Sequence, residues 1–200
     1  MTKLNDSAPD ATPLDVEDLA GLRLSWVSTR DDLNQAEADN IFQARLWAFT
    51  RRGRFWYLEA DQLHLLHRHM FGEVWSWAGQ QRRRETNIGI DPHQISICLR
   101  DLCQDVRAQI GDGTSPAYPA DELAIRFHHR LVTIHPYPNG NGRHSRLATD
   151  LLVRDLDIAE FSWGTLDIGT AGETRRRYLA ALREADSAAD FTKLIDFARS

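Results

Sequence analysis

Cysteine is scarce in this chain: Cys98 and Cys103 are the two in 200 residues. They stand five apart in a stretch of helical periodicity, so they project in different directions and are badly placed to bridge. A disulfide framework is therefore excluded, and a reducing compartment fits. Long apolar runs are also missing, and none approaches the length of a membrane span. The opening residues Met1-Thr2-Lys3-Leu4-Asn5-Asp6 hold no apolar signal core. A cytoplasmic chain with no membrane partner is expected. Bulk positive charge is absent too, with a net charge of -5 and a pI near 5.9. No direct nucleic-acid partner held through bulk charge is expected. Two local basic runs, Arg82-Arg83-Arg84 and Arg175-Arg176-Arg177, read as solvated faces. The sequence has no repeat, no low-complexity segment and no β-rich runs of the length a parallel sheet needs.

What is present reads as one globular domain: 42% hydrophobic and 26% charged residues. Residues 1–28, with Pro9 and Pro13, read as a tail or surface strap. Residues 29–200 read as a single helical domain with a core at about 40–190. Thr29-Arg30-Asp31-Asp32 has the form of a capping box, and Leu33, Ile41, Ala44 and Ala48 then recur on one face. A second helix is expected from about Glu59. Residues 79–92 mix turn residues with Thr86, Ile88 and Ile90, which predicts a short β-hairpin. Ile95, Leu99, Leu102 and Val106 mark a further helix, ended at Gly111. Leu123, Phe127, Leu131 and Ile134 trace a long buried helix that delivers His135. Another helix starts at about Asn141, and two more lie near 173–184 and 190–197. The fold class is all-α with one small β element.

Chemistry concentrates in one run, His135-Pro136-Tyr137-Pro138-Asn139-Gly140-Asn141-Gly142-Arg143-His144-Ser145-Arg146. Backbone N–H groups of a glycine turn that opens a helix point at an anion. Arg143 and Arg146 stand three apart and share a helix face, and guanidinium forks match phosphate oxygens in pairs. His135 is the group here that titrates near neutral pH. The run describes a phosphate cradle beside a general base. His128 and His129 read as packing or surface residues, and His144 as solvated. His64, His67 and His69 share metal-ligand residue type. However, 69 turns away from the face of the other two and no carboxylate spacing matches, so a metal site is disfavoured.

The run resembles the signature of the Fic (filamentation induced by cAMP) family, His-Pro-Phe-x-(Asp/Glu)-Gly-Asn-Gly-Arg-x-x-Arg. It is closest to the subgroup called mobile mystery protein B. A second stretch, Phe71-Gly72-Glu73-Val74-Trp75-Ser76-Trp77-Ala78-Gly79 followed by Arg84 to Ile90, resembles the segment and flap that Fic domains carry. The resemblance covers roughly residues 40 to 190. It implies an ATP-binding nucleotidyltransferase that moves AMP from ATP, or a group from another nucleoside triphosphate, onto a hydroxyl of a protein substrate. His135 would be the catalytic base. Gly140, Asn141, Gly142, Arg143 and Arg146 would bind the nucleotide phosphates. Thr86, Asn87, Ile88 and Gly89 would dock the target as strand addition does.

Asn139 stands where the family has an acidic residue that helps hold Mg2+. It keeps a carbonyl oxygen but lacks the charge hard cations favour, so Mg2+ use should be weakened, with no direct carboxylate ligand. The alternatives are a different phosphate donor, or a catalytically weak phosphate- or partner-binding module in a toxin–antitoxin-like or regulatory pair. A helix-turn-helix partner protein is implied by the subgroup. Glu37 lies along the apolar stripe between Leu33 and Ile41 and reads as a boundary residue with its head in water. The family adds an inhibitory reading, in which a helix glutamate pairs with the second motif arginine, here Arg146. Leu33 and Ala38 replace the ends of the family's (Ser/Thr)-x-x-x-Glu-(Gly/Asn) pattern.

Overall fold

The computed structural model describes residues 15–111, 117–165 and 172–200; the expectations for residues 1–14 and 112–116 fall outside them. Eight helices follow one another among the described residues: α1 Val16–Leu19, α2 Arg30–Thr50, α3 Ala60–Phe71, α4 Ile95–Ile110, α5 Ala120–Ile134, α6 Asn141–Asp155, α7 Glu173–Ala188 and α8 Thr192–Arg199.

Local chemistry sets the boundaries. Thr29 accepts the Asp32 N–H at 3.1 Å, and the Asp32 carboxylate accepts the Thr29 N–H at 2.9 Å, so the expected capping box closes. A cap of this kind contributes about 1 kcal/mol. The same reciprocal pattern between Asp15 and Asp18 starts α1, a helix that the sequence reading placed within the strap. Gly111 ends α4 with φ 59, where a side chain would be strained.

α5 and α6 lie side by side at the centre. Eleven of the fifteen residues of α6 are buried, including Leu147, Leu151 and Leu152, so this helix has no solvated face to spare. α4 packs on α5, α2 on α3, and α7 with α8 closes the remaining side. Charge enters this interior only with partners. The Asp150 carboxylate accepts from Arg45 at 2.9 Å and from Trp163 at 2.8 Å, which offsets the cost of burying it.

The β-hairpin expected over 79–92 does not form. Among the described residues the one strand-type pairing is an isolated bridge between Leu22 and Trp75. The reason lies in Arg82, which is buried rather than solvated as its arginine run suggested, with 4% exposure. Its guanidinium donates to the Arg84 carbonyl at 2.8 Å and to the Ile90 carbonyl. The Thr86 hydroxyl takes the Ile88 carbonyl at 2.5 Å. Carbonyls that a hairpin would pair with a facing strand are bonded to side chains, so the segment closes as an irregular loop.

Candidate active site

α5 ends on His135, which adopts the left-handed conformation with φ 51 and ψ 60. This is rare for a residue with a side chain and costs about 1–3 kcal/mol, so the surroundings must enforce it. The chain then turns through Pro136 and Pro138 to Gly140, which stands at the start of α6 with φ 80. A Cβ there would land 2.5 Å from the Phe71 ring, so glycine is required for both conformation and space. The turn is pinned from within. Asn141 accepts the Tyr137 N–H at 2.9 Å and donates to the Tyr137 carbonyl at 2.8 Å. α6 has no side-chain cap, so the N–H groups of its first turn have no intrahelical acceptor.

These parts line a cleft of about 660 Å³. Arg30 and Asn34 of α2 stand on one side, and Asn87 to Ile90 of the loop on another. Val132 and His135 come from the end of α5; Asn139, Gly140, Gly142, Arg143 and Arg146 form the floor; Tyr178, Leu182 and Arg183 of α7 close it. The structure thus brings together every residue of the expected cradle with His135 and with Asn87, Ile88 and Gly89. Thr86 stays just outside.

His135 is 8% exposed. Burial pushes its pKa down to about 4, the Arg82 guanidinium adds to that, and the Val132 carbonyl works against it. Its Nδ1 donates to that carbonyl at 3.3 Å. With the proton on Nδ1, the lone pair of the neutral imidazole lies on Nε2.

Arg143 donates to Glu37 Oε2 at 2.6 Å and to Asn139 Oδ1 at 3.3 Å. Glu37 is not the wetted boundary residue that its position suggested. It is 2% exposed, and its other oxygen accepts the Trp75 indole N–H at 2.7 Å. Its partner also differs from expectation: the carboxylate reaches the first motif arginine, Arg143, and not Arg146. Glu37 and Arg143 are brought together because α2 crosses the start of α6, while Arg146, one turn further on, lies against the Tyr178 ring at 5.9 Å.

One histidine was misread as well, and another has a role that the sequence reading did not assign to it. His144 is fully buried and donates through Nε2 to the Leu63 carbonyl at 3.0 Å, because α6 is buried all round. His67 accepts the Gly79 N–H on Nδ1 at 3.0 Å and donates from Nε2 to the Asn139 carbonyl at 3.1 Å. It therefore braces the motif turn. His64 hydrogen-bonds Tyr137 and His69 stacks on Trp47, so the three do not converge. Sequence reasoning missed Arg82, Trp75 and His67 as site residues. Only the apolar spacing around His67 and Trp75 hinted that they face inward.

A family model for the Fic/DOC family matches residues 57–153. Residues 57–153 are Fic-type. Solved structures agree with that assignment in fold. The N-terminal Fic domain of a VirB-translocated Bep effector from Bartonella quintana, with bound ADP, superposes at a TM-score of 0.66 with 18% identity, covering 88% of this chain and 86% of that one. The BepC protein of Bartonella tribocorum, with bound AMPPNP, gives 0.62 and 18%, covering 86% and 87%. Fic-1 of C. elegans, residues 134–508, gives 0.62 and 20%, covering 90% of this chain and 56% of that one. At these identities the likeness carries the all-α Fic fold. The floor of the cleft is the expected Gly140-Asn141-Gly142 turn, and its side walls are α2, α7 and the loop after Gly79.

Proposed function

We propose that this Fic domain transfers a nucleotidyl group, AMP from ATP, onto a side-chain hydroxyl of a protein substrate. The observation that carries this reading is a neutral, buried His135 in one cleft with the uncapped start of α6 and two arginines. The target hydroxyl oxygen attacks the α-phosphorus, and its proton passes to His135 Nε2. The bond from that phosphorus to the bridging oxygen breaks, and pyrophosphate leaves with the electron pair. N–H groups at Asn141 and Gly142 hold the bridging phosphates, and the Gly140 N–H joins them by exchanging its present acceptor, Asn139 Oδ1, for a phosphate oxygen. Arg143 and Arg146 hold the outer phosphates and stabilise the charge that builds on the leaving group. Thr86, Asn87, Ile88 and Gly89 dock the target segment beside His135. The relatives' bound ADP and AMPPNP support a nucleotide as the donor.

Magnesium is a poorer fit. The oxygen that would face a cation, Asn139 Oδ1, is uncharged and accepts from Gly140 N at 2.5 Å and from Arg143. Hard cations favour carboxylate oxygens free of competing donors, so no step is assigned to a metal. The Glu37 contact favours a regulated or partner-held site as the second reading, since Glu37 occupies the guanidinium that a phosphate needs. The deciding experiment incubates the purified protein with each labelled nucleoside triphosphate and a cell lysate, and reads adduct mass on modified protein. A His135→Ala variant should lose roughly 10²–10⁴ in rate and keep its nucleotide affinity. Label transfer at the wild-type rate in that variant would sink the role of His135. Nucleotide binding without any adduct would select the binding module.

A further inference from the structure

We propose that Arg82 is the positioning residue of this site: its guanidinium bolts the carbonyls at the end of α5 to those of the cleft loop and so fixes the His135 imidazole. The role rests on the transferase reading for its kinetic consequence, but not for its geometry. Five contacts run from this one residue. Arg82 Nε donates to the His135 carbonyl at 2.7 Å, and its Nη2 lies 3.5 Å from the Ile134 carbonyl. Its backbone N–H donates to the Pro136 carbonyl at 2.9 Å. The outer guanidinium N–H groups hold Arg84 O and Ile90 O, the two ends of the loop beside the cleft. Three successive carbonyls around the left-handed His135 are thus held from one side.

The choice of residue follows from this arrangement. Only guanidinium offers five donors in a rigid planar fork, enough for the four side-chain contacts to carbonyls of two segments seen here. The cation is buried with no carboxylate of the described residues bonded to it; Asp91 and Glu85 act on it from a distance. A buried cation without an ion pair is expensive to keep, and an apolar residue would fill the same space for less. Gly89 supports the assignment from the opposite face. With φ +114, a Cβ there would meet Arg82 Nη2 at 2.6 Å and His135 Cβ at 2.7 Å. The loop, the guanidinium and the imidazole are therefore stacked without slack. A permanent positive charge in this place also disfavours a second proton on His135, in line with the lowered pKa of that imidazole.

Two variants and two readouts test this. Arg82→Lys keeps the charge and removes the fork; Gly89→Ala keeps Arg82 and presses on the stack from an exposed position. Backbone chemical shifts of His135 report its left-handed conformation without any need for turnover. Both variants should shift them, and Arg82→Lys should lower kcat about 10²-fold, the scale of a misplaced catalytic group, while ATP affinity by calorimetry stays within about twofold. Unchanged His135 shifts in both variants would overturn the proposal, as would a loss of ATP affinity as large as the loss of kcat. If Arg82→Lys does not fold, Arg82→Gln, which keeps two N–H donors and removes the fork, is read by the same shifts, because a Gly89 side chain also touches His135 directly. If the wild type transfers nothing from any nucleoside triphosphate, the transferase reading fails, and the shifts still answer for Arg82.

Discussion

At Arg143 the anionic partner is an intramolecular one, the Glu37 carboxylate at 2.6 Å, itself held by Trp75 at 2.7 Å. An incoming phosphate competes with that carboxylate for one guanidinium. Glu37→Gly should therefore raise transfer, including self-modification, although glycine inside α2 costs about 1 kcal/mol of helix stability. Glu37→Gln keeps the shape and should release the site partly. Combining Glu37→Gly with Arg143→Ala should cancel the gain; a gain that survives would give the restraint another partner. Asn139 allows a second comparison. A carboxylate in its place strengthens hard-cation binding, so Asn139→Asp should give a rate that rises with Mg2+ and falls with a chelator. A rate indifferent to both would mean that the site is built for a metal-free donor. The residue types of the cradle were legible in the sequence because glycine turns and arginine pairs carry their chemistry locally. The partner of Glu37 was not legible, since it depends on how α2 crosses α6, 106 residues away.

Elements were easier to read than the contacts between them. The capping box at Thr29, the glycine stop at Gly111 and the helix start at Asn141 stand where the sequence placed them, because caps and stops are local. The loop after Gly79 was misread for the opposite reason. Alternating Thr86, Ile88 and Ile90 suit a strand, but a buried arginine from the same segment takes the carbonyls first. The loop is anchored at its other side as well: Arg84 pairs with Asp15 at 2.6 Å, Glu17 at 2.8 Å and Asp18 at 2.8 Å. α1 is thus tied to the cleft loop through one guanidinium. If the loop docks the target, Ile88→Pro should reduce modification of an added protein substrate by removing a backbone donor. ATP affinity should hold. Calorimetry beside a transfer assay separates the two, and undiminished target modification would reject docking through this segment.

Four of the molecule's eight histidines are buried in neutral form. Burial holds His128 and His144 at about 3 and His135 at about 4, and His67 well below its ordinary value. All four are lowered relative to the unfolded chain, which binds more protons once pH drops below about 6.5. Their contribution to stability is complete above that pH and is lost as pH falls toward the folded values. Each adds about 1.4 kcal/mol per pH unit to the slope. Calorimetric melting between pH 7 and 5 should show a Tm that falls steadily, with a proton uptake on unfolding of about four from these imidazoles and a further part from His64 and His69, whose pKa values burial also lowers. A flat Tm over that range would mean these imidazoles are not buried neutral. The histidine positions were visible in the sequence; their burial was not, because it follows from α6 being enclosed on all sides. The distance along the chain between Glu37 and Arg143 has one more consequence, in the order of synthesis. A ribosome adds about 5–20 residues per second, so α2 is complete many seconds before Arg143 is made. The competing carboxylate is waiting when the cradle first appears, and at no stage of its making does this chain hold an assembled phosphate site without the residue that obstructs it.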